Sequence, residues 1–252
     1  MRNVLAIADK ELRSYFASPI AYVIIGLFAL LFGWFFYLYL SMFVRNSEMM
    51  QMGRTWNLNQ DMIRGVLLNS AVVILFVMPM ITMRTYSEEK RSGTIELLLT
   101  SPITDWQIIL GKFFGAMGLY ASMLLVTLPY MALLFVYGNP EWRPIAAGYL
   151  GLLLMGGCFV SVGLLISSLT KNQIVAGAVT FAVFLMLWVI NWIGDMSGPI
   201  TREIVGYLSI TEHLDDFARG VIDTKHVVYY LTFITFGLFL TAKSVDSERW
   251  RG

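Results

Sequence analysis

Side chains capable of chemistry are few in this sequence, and their spacing fits no catalytic motif. The 252 residues include two histidines, His213 and His226, and a single cysteine, Cys158. Metal sites draw their ligands from closely spaced cysteines and histidines, and these two histidines are too far apart for such a motif. One cysteine can form no internal disulfide, and Cys158 lies in an apolar run where it suits packing. An enzyme would need a nucleophile with its base or a metal cluster, so we expect no catalytic residue, no metal and no cofactor.

The composition instead indicates a membrane protein. Hydrophobic residues make up 57% of the chain and charged residues 14%, whereas soluble domains carry roughly a quarter charged residues. The net charge is +1 and the basic residues form no stripe, so no nucleic-acid partner is expected. Six uncharged runs approach or reach the ~20 residues that a membrane-spanning helix needs, which predicts an all-α polytopic fold. The predicted spans are 19–43, 65–83, 107–137, 145–169, 173–194 and 226–242.

Lysine and arginine are unevenly distributed around these spans, and this bias sets the expected orientation. Eleven of the 18 lie on the side of the two chain ends and seven on the opposite side. We expect a multi-pass protein of the cytoplasmic (inner) membrane with both termini in the cytoplasm. Only Asp105 and Lys112, at the mouth of the third span, bring charge near a span interior. An ion-coupled secondary transporter needs ionisable groups within the membrane and is the less favoured alternative, while Asn69 and Asn191 could bond between helices or line a path.

Two packing patterns accompany the spans. Residues 2–17 combine apolar and charged side chains at helical spacing, which predicts an amphipathic helix on the inner leaflet. In the fourth span, Gly157 with Ser161 and Gly163 with Ser167 are small residues four apart. This spacing predicts a close approach of neighbouring helix backbones.

The segment before the last span is also amphipathic. Its apolar side chains fall at near-helical spacing with charged residues between them. We expect a short helix at the outer membrane face that acts as a lid or re-entrant gate, with Leu214, Phe217 and Val221 as gate candidates. The other apolar positions are Leu208 and Ala218, and the interleaved charged positions are Glu212, Asp215, Asp216 and Arg219. The acids among them are expected to face solvent, and His213 is not interpreted as catalytic.

The loop between the second and third spans differs from the others, because it is first charged, then apolar, and then ends at a proline. Gly93 can break the helix that descends from the second span, and Thr94 can cap a new short helix. Pro102 ends that helix, since the residue before a proline avoids the helical region. Thr104 and Gln107 form a possible capping box for the third span. The apolar residues of the short helix are Ile95, Leu97 and Leu98, which need a covering partner at the inner surface.

These loop residues resemble the pattern of type-2 ABC exporter permeases. The matching positions are Glu89, Gly93-Thr94, Glu96-Leu97-Leu98, Ser101-Pro102 and Gly111-Lys112. In that family the stretch is a cytoplasmic coupling helix that docks on a separate ATP-binding cassette subunit. The resemblance therefore implies a coupling site made of Glu89, Gly93, Thr94, Ile95, Glu96, Leu97, Leu98, Ser101 and Pro102. The segment 208–230, with Lys10-Glu11 and Ser18-Pro19, is similar to permeases of the gliding-motility subgroup.

The resemblance implies that residues 1–252 form a single permease domain, the membrane subunit of an ATP-driven exporter. Two copies of an ATP-binding cassette subunit and a second permease chain, identical or different, would complete the complex within the membrane lipid. The phosphate-binding sequence G-x-x-x-x-G-K-[ST] does not occur in the chain, so ATP hydrolysis is expected on another subunit. A family member that passes ATP-driven motion to an extracytoplasmic partner, without moving cargo, is the alternative.

Overall fold

The computed structural model describes residues 2–48, 57–95, 103–195 and 205–249. Every regular element within these ranges is helical, which confirms the predicted all-α class. The helices are α1 (Arg2–Ala17), α2 (Pro19–Glu48), α3 (Arg64–Thr82), α4 (Ser87–Ser92), α5 (Asp105–Tyr137), α6 (Trp142–Leu169), α7 (Gln173–Asp195), α8 (Ile210–Ala218) and α9 (Thr224–Arg249). A π-helical turn at Leu58–Ile63 leads into α3.

Six of these helices, α2, α3, α5, α6, α7 and α9, are long and apolar enough to cross a membrane. The prediction of six spans is thus confirmed. The helices extend past the predicted bounds, most clearly in α9, which runs from Thr224 to Arg249 instead of covering 226–242. Charged side chains end an apolar run without ending the helix, because the helical backbone can continue into water.

Helix α6 is the central span, with most of its side chains buried between α3, α5, α8 and α9. Its small residues permit this packing, as predicted. A Cβ atom at Gly157 would lie 2.7 Å from Ile234 of α9, and Gly163 lies directly against Thr82 of α3. Cys158 is fully buried, and its thiol donates to the Tyr230 carbonyl at 3.6 Å, which agrees with a packing role.

Helix α2 packs against α3 through a polar contact. The Asn69 side-chain amide of α3 donates to the Tyr39 hydroxyl of α2 at 2.8 Å and to the Gly65 carbonyl at 2.9 Å. Of the two interpretations of Asn69, the bond between helices is therefore the one observed. The side chain of Asn191 lies outside the described part of the chain.

Helix α1 has the predicted bounds, and it packs closely on α5. The contact surface on α5 is a row of glycines, Gly111, Gly115 and Gly118, one helical turn apart. A Cβ atom at Gly111 would lie 2.6 Å from the Ile7 Cβ, and one at Gly115 would lie 2.6 Å from the Glu11 Cβ. The α1 and α5 backbones thus lie closer together than they could if these glycine positions carried larger side chains. The position of α1 on a leaflet stays a prediction.

The helix ends gather at two faces of the molecule. The terminal face holds both ends of the described chain and consists of α1, 84–95, 103–112, 168–172 and 243–249; Ser168 and Ser244 hydroxyls join there at 2.8 Å. The distal face consists of 57–64, 138–143 and 205–223. On it, the Glu141 backbone N–H donates to the Asn59 side-chain carbonyl at 3.1 Å.

Candidate functional site

A buried lysine on the terminal face organises the site. Lys112 lies in the second turn of α5 with its side chain 1% exposed. Its ammonium donates to Glu89 Oε1 at 2.7 Å, to Glu11 Oε1 at 3.0 Å and to the Thr85 carbonyl at 2.9 Å. An ammonium has three donors, so each has an acceptor. The Tyr86 ring lies 5.0 Å from the same nitrogen, within the range of a cation–π contact.

We call these five residues, Lys112, Glu11, Glu89, Thr85 and Tyr86, the Lys112 cluster. The members of the cluster come from different parts of the fold. Glu11 comes from α1, which the glycines of α5 hold close. Thr85 and Tyr86 lie in the turn that joins α3 to α4, and Glu89 lies on α4. Burying a charge is costly unless it is paired and hydrogen-bonded, so this lysine ties the predicted coupling loop to α1 and α5.

A serine on α6 holds the other side of the same loop. The Tyr86 and Ser87 backbone N–H groups donate to the Ser167 hydroxyl at 3.0 and 3.1 Å, and that hydroxyl donates to the Met83 carbonyl at 3.1 Å. The first N–H groups of a helix have no partner within it, and Ser167 supplies one at the start of α4. The Lys90 ammonium also donates to the Ser168 carbonyl, which fixes α4 to the end of α6.

A polar cleft of about 440 Å³ opens between α1 and the turn from α3 to α4. Lys10, Tyr15, Arg84 and Glu88 are among its lining residues. The Tyr15 hydroxyl donates to the Ile81 carbonyl at 3.1 Å, and burial raises the pKa of this tyrosine well above its ordinary value. Tyr15 is therefore neutral and structural, and it ties α1 to α3.

Four of the residues predicted for coupling, Glu89, Gly93, Thr94 and Ile95, lie in the described part of the chain. Glu89 belongs to the Lys112 cluster, and Gly93 ends α4 with φ = +74°, a left-handed conformation that favours glycine. The Thr94 hydroxyl lies 2.9 Å from the Ser92 hydroxyl, and Ile95 is 9% exposed. The predicted residues Glu96, Leu97, Leu98, Ser101 and Pro102 lie outside the described residues, so the apolar coupling helix stays a prediction.

The start of the third span agrees with the sequence, but the role of Lys112 was not foreseen. The capping box of Thr104 and Gln107 is present, with the Thr104 backbone N–H donating to Gln107 at 3.4 Å. From the sequence, Lys112 was expected to be a charge at the mouth of the third span. In the structure it is buried and paired with Glu11 and Glu89. The available signal was a lysine whose neighbours in the helix, from Ile108 to Leu119, are all apolar residues or glycine.

On the distal face, the predicted amphipathic helix exists as α8. Of the gate candidates, Leu214 and Phe217 are fully buried, while Val221 is 53% exposed. Phe217 packs on α6, where a Cβ atom at Gly151 would lie 2.6 Å from the Phe217 Cβ. Val221 lies beyond the last residue of α8, and Leu208 lies before its first residue. A gating role of these residues stays a prediction.

The acids of α8 do not all face solvent, contrary to the expectation from sequence. Asp215 accepts from Arg64 of α3 and from Arg219, both at 2.6 Å. Asp216 accepts from His226 at 2.7 Å, and Glu212 alone among the three acids is exposed. Packing of α8 on the spans brings Arg64 and His226 to these carboxylates, and no periodicity within α8 signals either partner.

The fold and this site define a multi-pass helical membrane protein whose buried polar groups join helices. Among the described residues, no group of three or more histidine, cysteine, aspartate or glutamate side chains could hold a metal ion. The chain belongs to the ABC-2 family of transporter proteins, since residues 5–205 match the family described as ABC-2 family transporter protein.

Two curated relatives carry the name probable multidrug ABC transporter permease YbhR. The protein of Escherichia coli strain K12 is 29% identical over 155 residues, which cover 60% of this chain and 41% of the relative. The protein of E. coli O157:H7 matches with the same values. The chain thus spans less than half of the length of these relatives.

Proposed function

We propose that this chain is the membrane-spanning permease subunit of an ABC exporter. In this proposal, the Lys112 cluster passes movement of a separate ATP-binding cassette subunit into the spans. The observation that carries the proposal is the set of ion pairs that joins Glu89 of the loop to α1 and α5. The family membership and the permease names of the relatives support the class.

The arrangement of the complex follows from this function. The terminal face is cytoplasmic, because the side with both chain ends carries more lysine and arginine. Two such chains, identical or different, enclose the path, and each engages one cassette in the cytoplasmic membrane. ATP binding closes the cassettes and pushes on the loop from Arg84 to Thr104, and the cluster turns that push into a tilt of α3 and α5.

The cassette grips the loop through its apolar residues. Ile95 is mostly buried within this chain, so we assign the contact with the cassette to Leu97 and Leu98, the other two apolar residues of the predicted short helix. A buried leucine contributes roughly 1.5–3 kcal/mol, and a small interface depends on a few such anchors. Exposed ion pairs contribute about 1 kcal/mol or less, so Glu96 matters less than Leu97.

Replacement of these two residues tests the docking. We expect Leu97→Asp to abolish co-purification of a co-expressed cassette subunit and its permease-dependent ATPase activity. The matched change Glu96→Gln should have a mild effect on both. Insertion and thermal stability of the permease alone should remain unchanged. Normal cassette retention and stimulated hydrolysis in Leu97→Asp would show that this loop is not the coupling element.

A second pair of variants tests transmission separately from docking. Glu89→Gln keeps an acceptor for Lys112 but removes the charge, whereas Glu88→Gln makes the same change at the exposed neighbour. We expect Glu89→Gln to retain the cassette and to lose much of the coupling between hydrolysis and movement, and Glu88→Gln to behave as the unmodified protein. Movement can be followed by vanadate-trapped changes in distance between labels on α3 and α5. Equal behaviour of the two variants would remove the cluster from the coupling route.

A further inference from the structure

The only two histidines of the chain meet beneath the distal face. His213 lies on α8 and His226 in the first turn of α9, and their side chains are 5% and 4% exposed. Their Nδ1 atoms lie 2.5 Å apart. The Tyr229 ring stacks on His213 with 3.9 Å between ring centroids, which covers the pair from one side.

The partners of the other ring nitrogens fix the tautomers. His213 Nε2 lies 3.0 Å from the Tyr207 carbonyl oxygen, and a carbonyl can only accept, so this nitrogen carries a proton. His226 Nε2 lies 2.7 Å from Asp216 Oδ2. An ionised carboxylate also only accepts, so this nitrogen carries a proton as well. Two neutral imidazoles would therefore turn bare Nδ1 lone pairs towards each other.

One additional proton resolves this conflict. Placed between the two Nδ1 atoms, it is donated by one ring and accepted by the other, and the single positive charge is balanced by Asp216. A second additional proton would place two N–H groups head to head. A metal ion cannot replace the proton without a movement of the rings, since Zn²⁺ at ~2.0–2.1 Å from each nitrogen separates its ligands by about 3.3 Å.

The surroundings favour one shared proton over two. Asp216 of α8 and Lys225 of α9 act electrostatically on His213. Burial lowers the pKa of His213 below its ordinary value; the charges of His226 and Lys225 act in the same direction, while the Tyr207 carbonyl and Asp216 oppose them. Burial and the neighbouring positive charges thus oppose a second added proton at His213.

Other neighbours also carry charge: Asp223, paired with Lys225 at 3.4 Å, acts electrostatically with His226, and the exposed Glu212 precedes His213 on α8. Asp215 is held by Arg64 of α3 and by Arg219, and α7 has no charged residue from Gln173 to Ile190. From α6, the Cys158 thiol reaches only the Tyr230 backbone. The charge state of the pair is thus set by the pair itself together with Asp216, Lys225 and Asp223.

We infer that His213 and His226 form a proton-binding site in which one shared proton holds α8 against the start of α9, and that a second proton releases α8. The pair joins α8 to the start of α9, where the Tyr230 hydroxyl also donates to the Ile210 carbonyl at 2.9 Å. Its protonation therefore affects how firmly α8 is held beside α9. This site requires no cassette subunit, and its failure would leave the proposed permease function untouched.

Histidine-selective ¹⁵N labelling tests the shared proton, because the chain has only these two imidazoles. The full chain, purified with a histidine-free tag, is titrated in detergent micelles. We expect both Nε2 atoms to be protonated near neutral pH and the Nδ1 signals to lie between the bare and protonated positions, with two separate coupled steps. Two histidines that titrate independently with ordinary values would overturn the proposal. So would stoichiometric binding of added Zn²⁺ that shifts both Nδ1 signals.

The release of α8 is measured by maleimide labelling in a Cys158→Ala background. Ala218→Cys reports the buried side of α8, and Val221→Cys, at an exposed position, corrects for the pH dependence of the thiol reaction. We expect the ratio of the two rates to rise several-fold on acidification and to stay constant with pH in a His213→Gln protein. A constant ratio in the background protein would overturn the release. If His213→Gln fails to fold, the titration of the natural pair still decides the proton site.

Discussion

Single residues determine how the terminal face is held together, and Lys112 is the clearest case. Lys112→Met would leave Glu11 and Glu89 as neighbouring buried carboxylates, and removal of one partner of a buried ion pair costs about 3–5 kcal/mol. We expect a large loss of thermal stability in detergent. Lys243→Met, an exposed lysine on the same face, should change stability little.

The double variant Glu89→Gln with Lys112→Met separates charge burial from packing. One unpaired carboxylate is then removed with the lysine, so the loss should be smaller than the sum of the two single losses. Additive losses would show that Glu89 and Lys112 act independently. Such a result would contradict the cluster as a unit.

At the residue scale, the sequence predicts which residues could form a site, but it does not predict which of them come into contact. Glu89 and Gly93 were predicted as coupling residues from their local pattern, and that role stays a prediction. The contact of His213 with His226 depends on how two consecutive helices pack, and that of Lys112 with Glu11 depends on packing between helices far apart in the chain. No periodicity within one segment encodes such a contact, which is why these pairs appear only in the structure.

At the scale of elements, the contact of α1 with α5 depends on the absence of side chains at the glycine row. Gly115→Ala would place a methyl group 2.6 Å from the Glu11 Cβ, so α1 must move away. We expect lower stability and slower formation of a disulfide between Asn3→Cys and Gln107→Cys, whose natural side chains bond at 3.2 Å, in a Cys158→Ala background.

Gly26→Ala on α2 is the matched control for this change, because a Cβ atom at Gly26 would meet nothing within 4 Å. Alanine is favoured over glycine inside a helix by up to about 1 kcal/mol. The control should therefore leave stability equal or slightly higher. An equal response at both glycines would contradict the close packing of α1.

The turn after α4 gives a test of backbone conformation alone. A Cβ atom at Gly93 would also meet nothing within 4 Å, so any effect of substitution arises from its positive φ. We expect Gly93→Val to weaken cassette co-purification and Gly93→Asn to be milder, since asparagine tolerates the left-handed region. Identical behaviour of Val and Asn at this position would show that the turn is not held in this conformation in the complex.

Helices were predicted well where the apolar run was long and poorly where it was short. The six spans follow from apolar runs of about 20 residues, whereas the bounds of α8 depended on a few apolar positions. Leu208 and Val221 follow the same apolar spacing as the residues of α8. The helix nevertheless starts after Ser209, whose hydroxyl accepts from the Glu212 N–H at 3.4 Å. Gly220 follows its end with φ = +87°. The Ser209 side-chain cap and the positive φ of Gly220 therefore set the two ends of α8, although the apolar spacing continues beyond them.

For the whole molecule, the structure establishes two faces at opposite ends of the six spans. All six spans end on one face or the other, so one sidedness measurement orients every element at once. The Lys112 cluster and the loop from Arg84 belong to the terminal face, and the histidine pair belongs to the distal face. Coupling to a cytoplasmic cassette requires the terminal face inside, and the lysine and arginine bias favours the same orientation.

Cysteine labelling in intact cells decides this orientation. In a Cys158→Ala background, Glu141→Cys and Lys225→Cys place thiols at exposed positions of the distal end, and Arg91→Cys and Ser247→Cys do so at the terminal face. We expect a membrane-impermeant maleimide to modify the first pair in intact cells and the second pair only after permeabilisation. Because each face is sampled on two separate elements, a local distortion at one position cannot produce the full pattern. Modification of Arg91→Cys and Ser247→Cys from outside would reverse the orientation and remove the loop from the reach of any cytoplasmic ATPase.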